Sequence, residues 1–206
     1  MTSLEVIPIP MVPDFLDRSK VPVGFTDVDP ADLVLPRVQL MQSMSPQVQE
    51  GQFQAGDFVN SLTNELIERP TKIVAVDHYK SRIYWAPREE GANMLCSSPD
   101  GKTPVHDKYA KVCADCPNAR FVETSDGKRT NPICTMYYNF PALVNGDKIG
   151  VSFSRTKIKV AKRLLSLARF LGYDIFAGVY ELGTKLMKGP KGTYFNFLVT
   201  QRGFVD

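Results

Sequence analysis

Residues 135–153, TMYYNFPALVNGDKIGVSF, form the segment that decides the fold of this chain. The runs Thr135–Phe140 and Lys148–Phe153 are rich in aromatic and β-branched side chains, which fit a pleated, half-buried surface. Between them, Asn145-Gly146-Asp147 supplies residue types that turns prefer, because Asn and Gly tolerate positive φ. The segment therefore predicts two strands joined across a turn.

Four further runs extend the β prediction on both sides of this segment. Lys72–Tyr79 and Ser81–Ala86 precede it, with a tight connection or bulge at Lys80. Ile175–Leu182 and Gly192–Thr200 follow it, and the Gly- and Pro-containing turn between them predicts a closing hairpin. No β-α-β alternation indicates a parallel sheet. The expected fold class is mainly β (α+β), an antiparallel barrel or strongly curved sheet with one principal helix.

The principal helix is predicted over residues 156–171. Apolar side chains recur there at helical spacing, Ser154 or Thr156 can cap the N-terminus, and Gly172 can end the helix. The residues expected to be buried are Val160, Leu164, Leu167 and Leu171.

The first 34 residues have a different composition, with five prolines among short apolar pieces. Proline at this density blocks helices and central strands, so we expect a Pro-rich extended arm over 1–34 and a single domain over 35–206. The sequence has neither a long apolar run nor a basic start before an apolar run. It therefore predicts no membrane span and no signal peptide, and a cytoplasmic location, the host cytoplasm if the protein is viral.

All four cysteines fall within one stretch and are spaced C-x16-C-x2-C-x17-C. The central Cys113-Ala-Asp-Cys116 step is typical of a zinc knuckle, and four thiolates complete a tetrahedral site for one Zn²⁺. The expected ligands are Cys96, Cys113, Cys116 and Cys134. A closed set of four leaves no open coordination position, so the zinc is expected to be structural. Two disulfides, free thiols or a redox Cys-x-x-Cys are the alternatives, and His106 could replace one sulfur.

The segment that carries the cysteines, residues 88–134, has almost no hydrophobic periodicity. Compact domains rarely contain an irregular loop of this length unless something else orders it. A bound metal ion can supply that order, so we expect a zinc-stabilised insertion at 88–134.

The net charge of +3 hides an uneven distribution along the chain. Residues 148–206 contain 11 Lys or Arg and 3 Asp or Glu, whereas residues 1–147 contain 14 and 19. A basic C-terminal segment suggests a polyanionic partner, with nucleic acid the first candidate. A solvated basic face without a partner is the alternative.

Catalytic motifs are not found in the sequence. It contains no phosphate-binding Gly-rich loop and no Gly-x-Ser-x-Gly nucleophile step. His78 and His106 are the two histidines, and the acidic pairs Asp27/Asp29 and Glu89/Glu90 lie in polar stretches typical of solvated charge. We therefore expect a protein that is not an enzyme.

Aromatic and basic side chains are interleaved in three segments, and basic side chains line one face of the predicted helix. Proteins that bind single strands combine cations that contact phosphates with aromatic rings on which bases stack. The candidate DNA-binding residues are Tyr79, Lys80, Arg82, Tyr84, Trp85, Tyr137, Tyr138, Phe140, Phe153, Arg155, Lys157, Lys159, Lys162, Arg163 and Arg169. Because neighbouring strand residues point to opposite faces, about half of these aromatics are expected in the core and the others, such as Trp85 or Tyr138, outside.

The order of these features resembles a family of bacteriophage proteins, many of them described as single-stranded DNA-binding. The matching pieces are Leu35–Leu40, Gly51-Gln52-Phe53 with Gly56-Asp57-Phe58, the cysteine insertion, Val151–Ser154 before a basic helix, and Lys191–Phe195. The resemblance covers most of residues 35–200 and implies an OB-like barrel for 35–206. Such proteins often end in an acidic tail. This chain ends QRGFVD, so recruitment of partners through a tail is not expected.

The function we expect is single-stranded DNA binding in phage replication, recombination or transcription, with a structural zinc. The proteins of those systems are possible partners. The alternative is a zinc-stabilised protein–protein adaptor that docks on a polymerase or a host factor. The salt dependence of DNA binding separates the two, because an adaptor releases no counterions from DNA. A nuclease is a further rival, but it needs clustered carboxylates that the sequence does not place.

Overall fold

A computed structural model of the chain describes residues 24–25, 27–29, 32–91, 93–123, 125–127, 129–190 and 192–205, with Arg88 described by its backbone alone. The chain divides into two compact units, Met1–Val34 and Leu35–Asp206. In the first unit, the backbone N–H of Asp32 donates to the carbonyl of Asp29 at 2.9 Å. All five prolines of the predicted arm lie outside the described residues.

The second unit begins with a small antiparallel sheet of three strands in the order β1-β2-β3. Its elements are β1 (Val38–Leu40), the short helix α1 (Pro46–Gln49), β2 (Phe58–Asn60) and β3 (Leu66–Ile67). A half-buried ion pair follows it, in which Arg69 contacts Asp57 at 2.7 Å. Arg69 also donates to the Thr184 hydroxyl at 3.0 Å, and Phe58 is buried in the core, so both residues join the small sheet to the rest of the domain.

The main sheet has seven strands, and β9 lies at its centre. The strands are β4 (Thr71–Ala75), β5 (Tyr79–Trp85), β6 (Met94–Ser98), β9 (Thr135–Val144), β10 (Asp147–Ser154), β11 (Gly178–Gly189) and β12 (Gly192–Phe204). β9 pairs with β10 along one edge, and with β5 and then β4 along the other. β6 extends the sheet beside β5, and β11 and β12 extend it beside β4. Two short strands, β7 (Val122–Glu123) and β8 (Arg129–Thr130), pair separately.

The β9–β10 hairpin forms as the sequence predicts, and its strands are longer than expected. Asn145 and Gly146 adopt φ values of 52° and 94°, which match the two central positions of a tight hairpin turn. Alternate residues of β9 point into the core, where Phe140 meets Phe153 edge-to-face at 5.6 Å between ring centroids. The ring of Phe153 contacts Phe197, which stacks on Phe58. This row of rings joins the small sheet to the main sheet.

The main sheet does not close into a barrel within the described residues, because β10 and β12 do not pair with each other. The start of the domain bridges them instead. The backbone N–H of Gly150 on β10 donates to the Pro36 carbonyl at 2.8 Å. On the other side, the amide side chain of Gln42 makes two hydrogen bonds, of 2.9 and 3.0 Å, with the backbone of Phe195 on β12. The expected mainly β, antiparallel fold with one main helix is confirmed, whereas a closed barrel is not.

The main helix, α2, spans Ile158–Leu171, two residues fewer than predicted. Residues 155–157 form a 3-10 turn that leads into α2. No side chain caps the N-terminus of this turn or of α2, so the predicted Ser154 or Thr156 cap is wrong. Gly172 ends the helix with φ 75°, as predicted. The fully buried residues are Ala161, Leu164 and Ala168, whereas Leu171 is 60% exposed because the sheet ends before it. No helix in the described ranges is long and apolar enough to cross a membrane.

The closing hairpin is also longer than predicted. It runs over Gly178–Gly189 and Gly192–Phe204, and residues 175–177 form a 3-10 turn in place of the predicted strand start. Glycine is required at the first strand position, because a Cβ on Gly178 would lie 2.8 Å from the rings of Tyr173 and Tyr180.

Candidate functional site

The inner pair of cysteines lies on a tight turn of the insertion. The backbone N–H of Asp115 donates to Val112 at 3.2 Å, and that of Cys116 donates to Cys113 at 3.4 Å. A 3-10 turn over Pro117–Ala119 follows. This local structure is the one that the Cys-x-x-Cys-Pro sequence predicts, since proline favours the first position of such a turn.

The outer pair of cysteines is held by the main sheet. Cys96 lies on β6 directly opposite Tyr84 of β5. Cys134 immediately precedes β9, whose first residue, Thr135, pairs with Ile83 on the other edge of β5. The backbone N–H of Cys134 donates to Asn118 of the inner turn at 2.8 Å. The strand pairing therefore brings two sequence-distant cysteines to one end of the sheet, beside the turn that carries the other two.

One small cavity is lined by all four predicted ligands, Cys96, Cys113, Cys116 and Cys134. Its free volume is about 20 Å³, which is room for a single water-sized particle. All four cysteines are free thiols, so the structure does not contain the alternative disulfides. His106 is exposed and is not part of the lining.

The thiols influence one another across this cavity. Burial raises the pKa of Cys96, and the neighbouring Cys113 and Cys116 raise it further. Burial also raises the pKa of Cys134, while the Arg82 guanidinium acts to lower it. In the part of the chain that is described, no group of three or more His, Cys, Asp or Glu residues could hold a metal ion as placed. The thiols thus share a cavity, but the structure shows no metal site.

A carboxylate stabilises the turn between β6 and the inner cysteines. Asp100 accepts hydrogen bonds from the backbone N–H groups of Lys102 and Thr103, both at 2.7 Å, and from the Ser98 hydroxyl at 2.9 Å. These donors hold the pKa of Asp100 well below its ordinary value. Since the N–H of Cys113 donates to Lys102 at 2.8 Å, the same turn positions the inner cysteine pair.

A larger cleft of about 470 Å³ adjoins the cysteine cavity. Arg82, Ala119 and Cys134 line both, so they form the wall between them. The remaining lining comes from β9 and the insertion, and from the turn that leads into α2. These residues are Phe121, Asn131, Pro132, Thr135, Met136, Tyr138, Arg155, Thr156, Ile158, Lys159 and Lys162. The cleft continues the inner face of the sheet beyond the core.

Four cations line the cleft, namely Arg82, Arg155, Lys159 and Lys162, and its described lining contains no carboxylate. No ion pair within the described ranges involves any of the four. Arg155 has φ 51°, a conformation that costs a non-glycine residue about 1–2 kcal/mol, and its guanidinium donates to Thr135 at 3.2 Å. The Nε of Arg82 is buried without a hydrogen-bond partner in the protein. The cleft therefore concentrates positive charge that has no ion-pair partner in the described part of the chain.

The structure brings together only part of the predicted DNA-binding set. Arg82, Tyr138, Arg155, Lys159 and Lys162 meet in the cleft although they are far apart in sequence. Tyr138 is 7% exposed and lies on the inner face, contrary to its expected outward orientation. Its half-buried neighbour Tyr137 points outward instead, because consecutive strand residues alternate between faces.

The other predicted residues lie elsewhere. Phe140 and Phe153 are core residues that cannot stack on a base, and Lys157 places its ammonium over the Phe197 ring at 5.1 Å. Burial lowers the pKa of Lys157. The residues outside both the core and the cleft are Tyr79, Lys80, Tyr84, Trp85, Tyr137, Arg163 and Arg169. Among them Tyr84 lines the cysteine cavity, and Lys80 lies over the ring of Tyr138 at 5.1 Å.

Sequence reasoning missed several residues that shape the cleft. Phe121 and Asn131 belong to the aperiodic insertion, where no hydrophobic pattern predicts an orientation. Phe121 is 63% exposed at the cleft, so its ring is accessible to a ligand. Met136 and Ile158 carry no charge or ring and gave no signal for binding. Only the docking of the insertion beside α2 reveals their shared position.

Comparison with known proteins gives one positive finding. No curated protein and no solved structure matches the chain. A family model described as Pam3 phage gp34-like protein matches residues 4–206. The match agrees with the bacteriophage part of the resemblance, and it carries no information on zinc or DNA. Because it spans nearly the whole sequence, the chain belongs to the Pam3 phage gp34-like family.

Proposed function

We propose that this protein binds single-stranded DNA in a phage replication, recombination or transcription system, and that it is a binding protein and not an enzyme. The observation that carries the proposal is the cleft, in which Arg82 of β5 meets three cations of residues 155–162 without a carboxylate in the described lining. Such a surface attracts a polyanion, because phosphate contacts release the counterions condensed on the nucleic acid.

The apolar part of the cleft favours a single strand over a duplex. The exposed ring of Phe121 and the partly buried side chain of Met136 lie in the same cleft as the cations, whereas Tyr138 is 7% exposed and contributes only an edge. A base can reach such side chains only when it is unpaired and unstacked, whereas a duplex presents mainly its phosphates to a concave surface. Because every base has a flat π-face, this mode of binding selects little among sequences.

The open sheet is compatible with the OB-like architecture that we propose for residues 35–206. OB-folds are partly open, five-stranded Greek-key barrels. Here the gap between the outer strands is spanned by the segment that contains Pro36 and Gln42. An experimental structure in which this segment forms a continuous ladder with both outer strands would support the assignment, and a wider gap would oppose it.

We further propose that the four cysteines bind one structural Zn²⁺. Support comes from the four thiols around a cavity of about 20 Å³, a volume suited to one ion. The sulfurs must move to about 2.3 Å from the metal, and the metal would favour the thiolate form that burial now disfavours. Metal analysis of the purified protein should give one zinc per chain, and a Cys113→Ser/Cys116→Ser variant should give none. Well under one zinc in the unaltered protein would contradict the proposal.

The test of DNA binding compares fluorescently labelled oligonucleotides of equal length: single-stranded DNA, duplex DNA and RNA. Fluorescence anisotropy at several salt concentrations should show tightest binding to single-stranded DNA and a negative dependence of log K on log salt. Preference for the duplex would place the interface elsewhere. If none of the oligonucleotides binds, the adaptor alternative replaces this proposal.

A further inference from the structure

We infer that the basic cleft is a pocket for one nucleotide, which takes a single base and its phosphate from the strand and also binds a free nucleoside monophosphate. This inference rests on the proposed function and adds the size and chemical class of the ligand unit. Three properties of the cleft are required: a limited volume, separate cationic and apolar parts, and a hydrogen-bond donor without a partner.

The extent of the cleft matches a small ligand. Its volume of about 470 Å³ falls within the range of roughly 300–1,000 Å³ typical of small-molecule sites. Its lining comes from β9, from residues 155–162 of the turn and α2, and from the insertion at Phe121 and Asn131. Three separate elements therefore contribute to one site of limited size.

A nucleotide has a charged phosphate at one end and a flat base at the other, and the cleft likewise has a cationic part and an apolar part. Arg155, Lys159 and Lys162 lie along the helix side, where a phosphate can be contacted by more than one cation. Met136 on β9 and Phe121 on the insertion offer apolar surface to a flat ring. Inorganic phosphate would leave the apolar part unused, and a nucleoside would leave the cations unpaired.

Arg82 adds a donor at the back of the cleft. Its Nε is buried and finds no acceptor in the protein, although the residue lies in the wall shared with the cysteine cavity. A buried donor without a partner is unfavourable, so a shift of the Arg82 side chain that brings this Nε to an acceptor on a bound ligand is favoured. Both a base carbonyl and a phosphate oxygen meet this requirement.

The experiment is a competition assay with the full chain and labelled single-stranded DNA. The competitors are dTMP, thymidine and inorganic phosphate, and isothermal titration calorimetry measures the direct binding of each. We expect dTMP to displace the DNA and to bind at least tenfold more tightly than thymidine or phosphate. Displacement by phosphate as effective as displacement by dTMP would overturn the inference, because the cleft would then be an anion site.

Two variants separate the two ends of the pocket. Phe121→Ala removes an exposed ring and should weaken dTMP binding roughly 5- to 150-fold, the range expected for loss of one base–aromatic stack. Lys159→Ala/Lys162→Ala should weaken dTMP and leave the weak binding of thymidine unchanged. The matched control, Lys185→Ala/Lys188→Ala, removes two exposed cations of β11 and should change neither. Equal effects of the cleft and control pairs would overturn the inference, and thermal melting verifies that each variant is folded.

The outcome for the nucleotide is distinguishable from the outcome for DNA. If single-stranded DNA binds but dTMP neither binds nor competes at millimolar concentration, the one-nucleotide pocket is wrong and the proposed function stands. If dTMP binds and single-stranded DNA binds no more tightly, the pocket stands and DNA binding is wrong.

Discussion

Removal of the cleft's charge gives the sharpest test of how the protein would engage DNA. The variant Arg155→Gln/Lys159→Gln/Lys162→Gln removes three cations that line the cleft and have no ion-pair partner among the described residues. Glutamine retains hydrogen-bonding capacity and good helix propensity, so the change is mainly electrostatic. Arg82 is left in place because it also contributes to the wall of the cysteine cavity.

The expected magnitude follows from the number of phosphate contacts. Each contact with a single strand contributes about 0.7 to the slope of log K against log salt, so three contacts contribute about 2. A fourfold rise in salt should therefore weaken the unaltered protein about 16-fold more than the variant. Fluorescence anisotropy measures both slopes, with a labelled single strand at about 50, 100 and 200 mM salt.

The control variant has the same change in net charge at another place. Lys148→Gln/Lys185→Gln/Lys188→Gln removes three exposed cations that are not part of the cleft lining. At 0.1 M salt the Debye length is about 10 Å, so the distant cations should alter the slope little. An equal fall in slope for both variants would refute the cleft as the binding site and would indicate a diffuse field.

Three predictions concern the framework of the domain. Gly56→Ala should destabilise it by roughly 1–3 kcal/mol, since φ is 98° and the new Cβ would lie 2.8 Å from the Phe195 ring; chemical denaturation measures the change. Leu164→Ala should cost about 2–5 kcal/mol because Leu164 is fully buried, whereas Leu171→Ala should stay within about 0.5 kcal/mol. Equal costs would contradict the observed helix orientation. The depressed pKa of Asp100 means that its stabilisation of the turn is present above its unfolded-state value near 3.8 and is lost as the pH falls through the lower folded value. The protection of the amides in that turn, corrected for the intrinsic pH dependence of exchange, should therefore fall in strong acid, and an Asp100→Asn variant should lose this pH dependence.

Much of the secondary structure could be predicted because its signals are local. The Asn145-Gly146 turn, the flanking β-branched runs and the helix-ending Gly172 each depend on conformational preferences of a few adjacent residues. Predictions failed where a neighbouring element decides the outcome. The exposure of Leu171 depends on where the sheet ends beneath α2, and the sequence of the helix has no information on that limit.

The sequence by itself determined the strands of the central hairpin, the presence of one main helix and the grouping of four cysteines in one insertion. Only the tertiary structure decided which predicted residues meet. Arg82, Tyr138 and Lys159 share a cleft because strand pairing and helix docking bring together segments that are distant along the chain. The faces of β9 were likewise settled by the core, which takes Tyr138 and Phe140 inward. Alternation along a strand is a local property, but the choice of the face that meets the core depends on contacts between elements, and a single segment does not encode them.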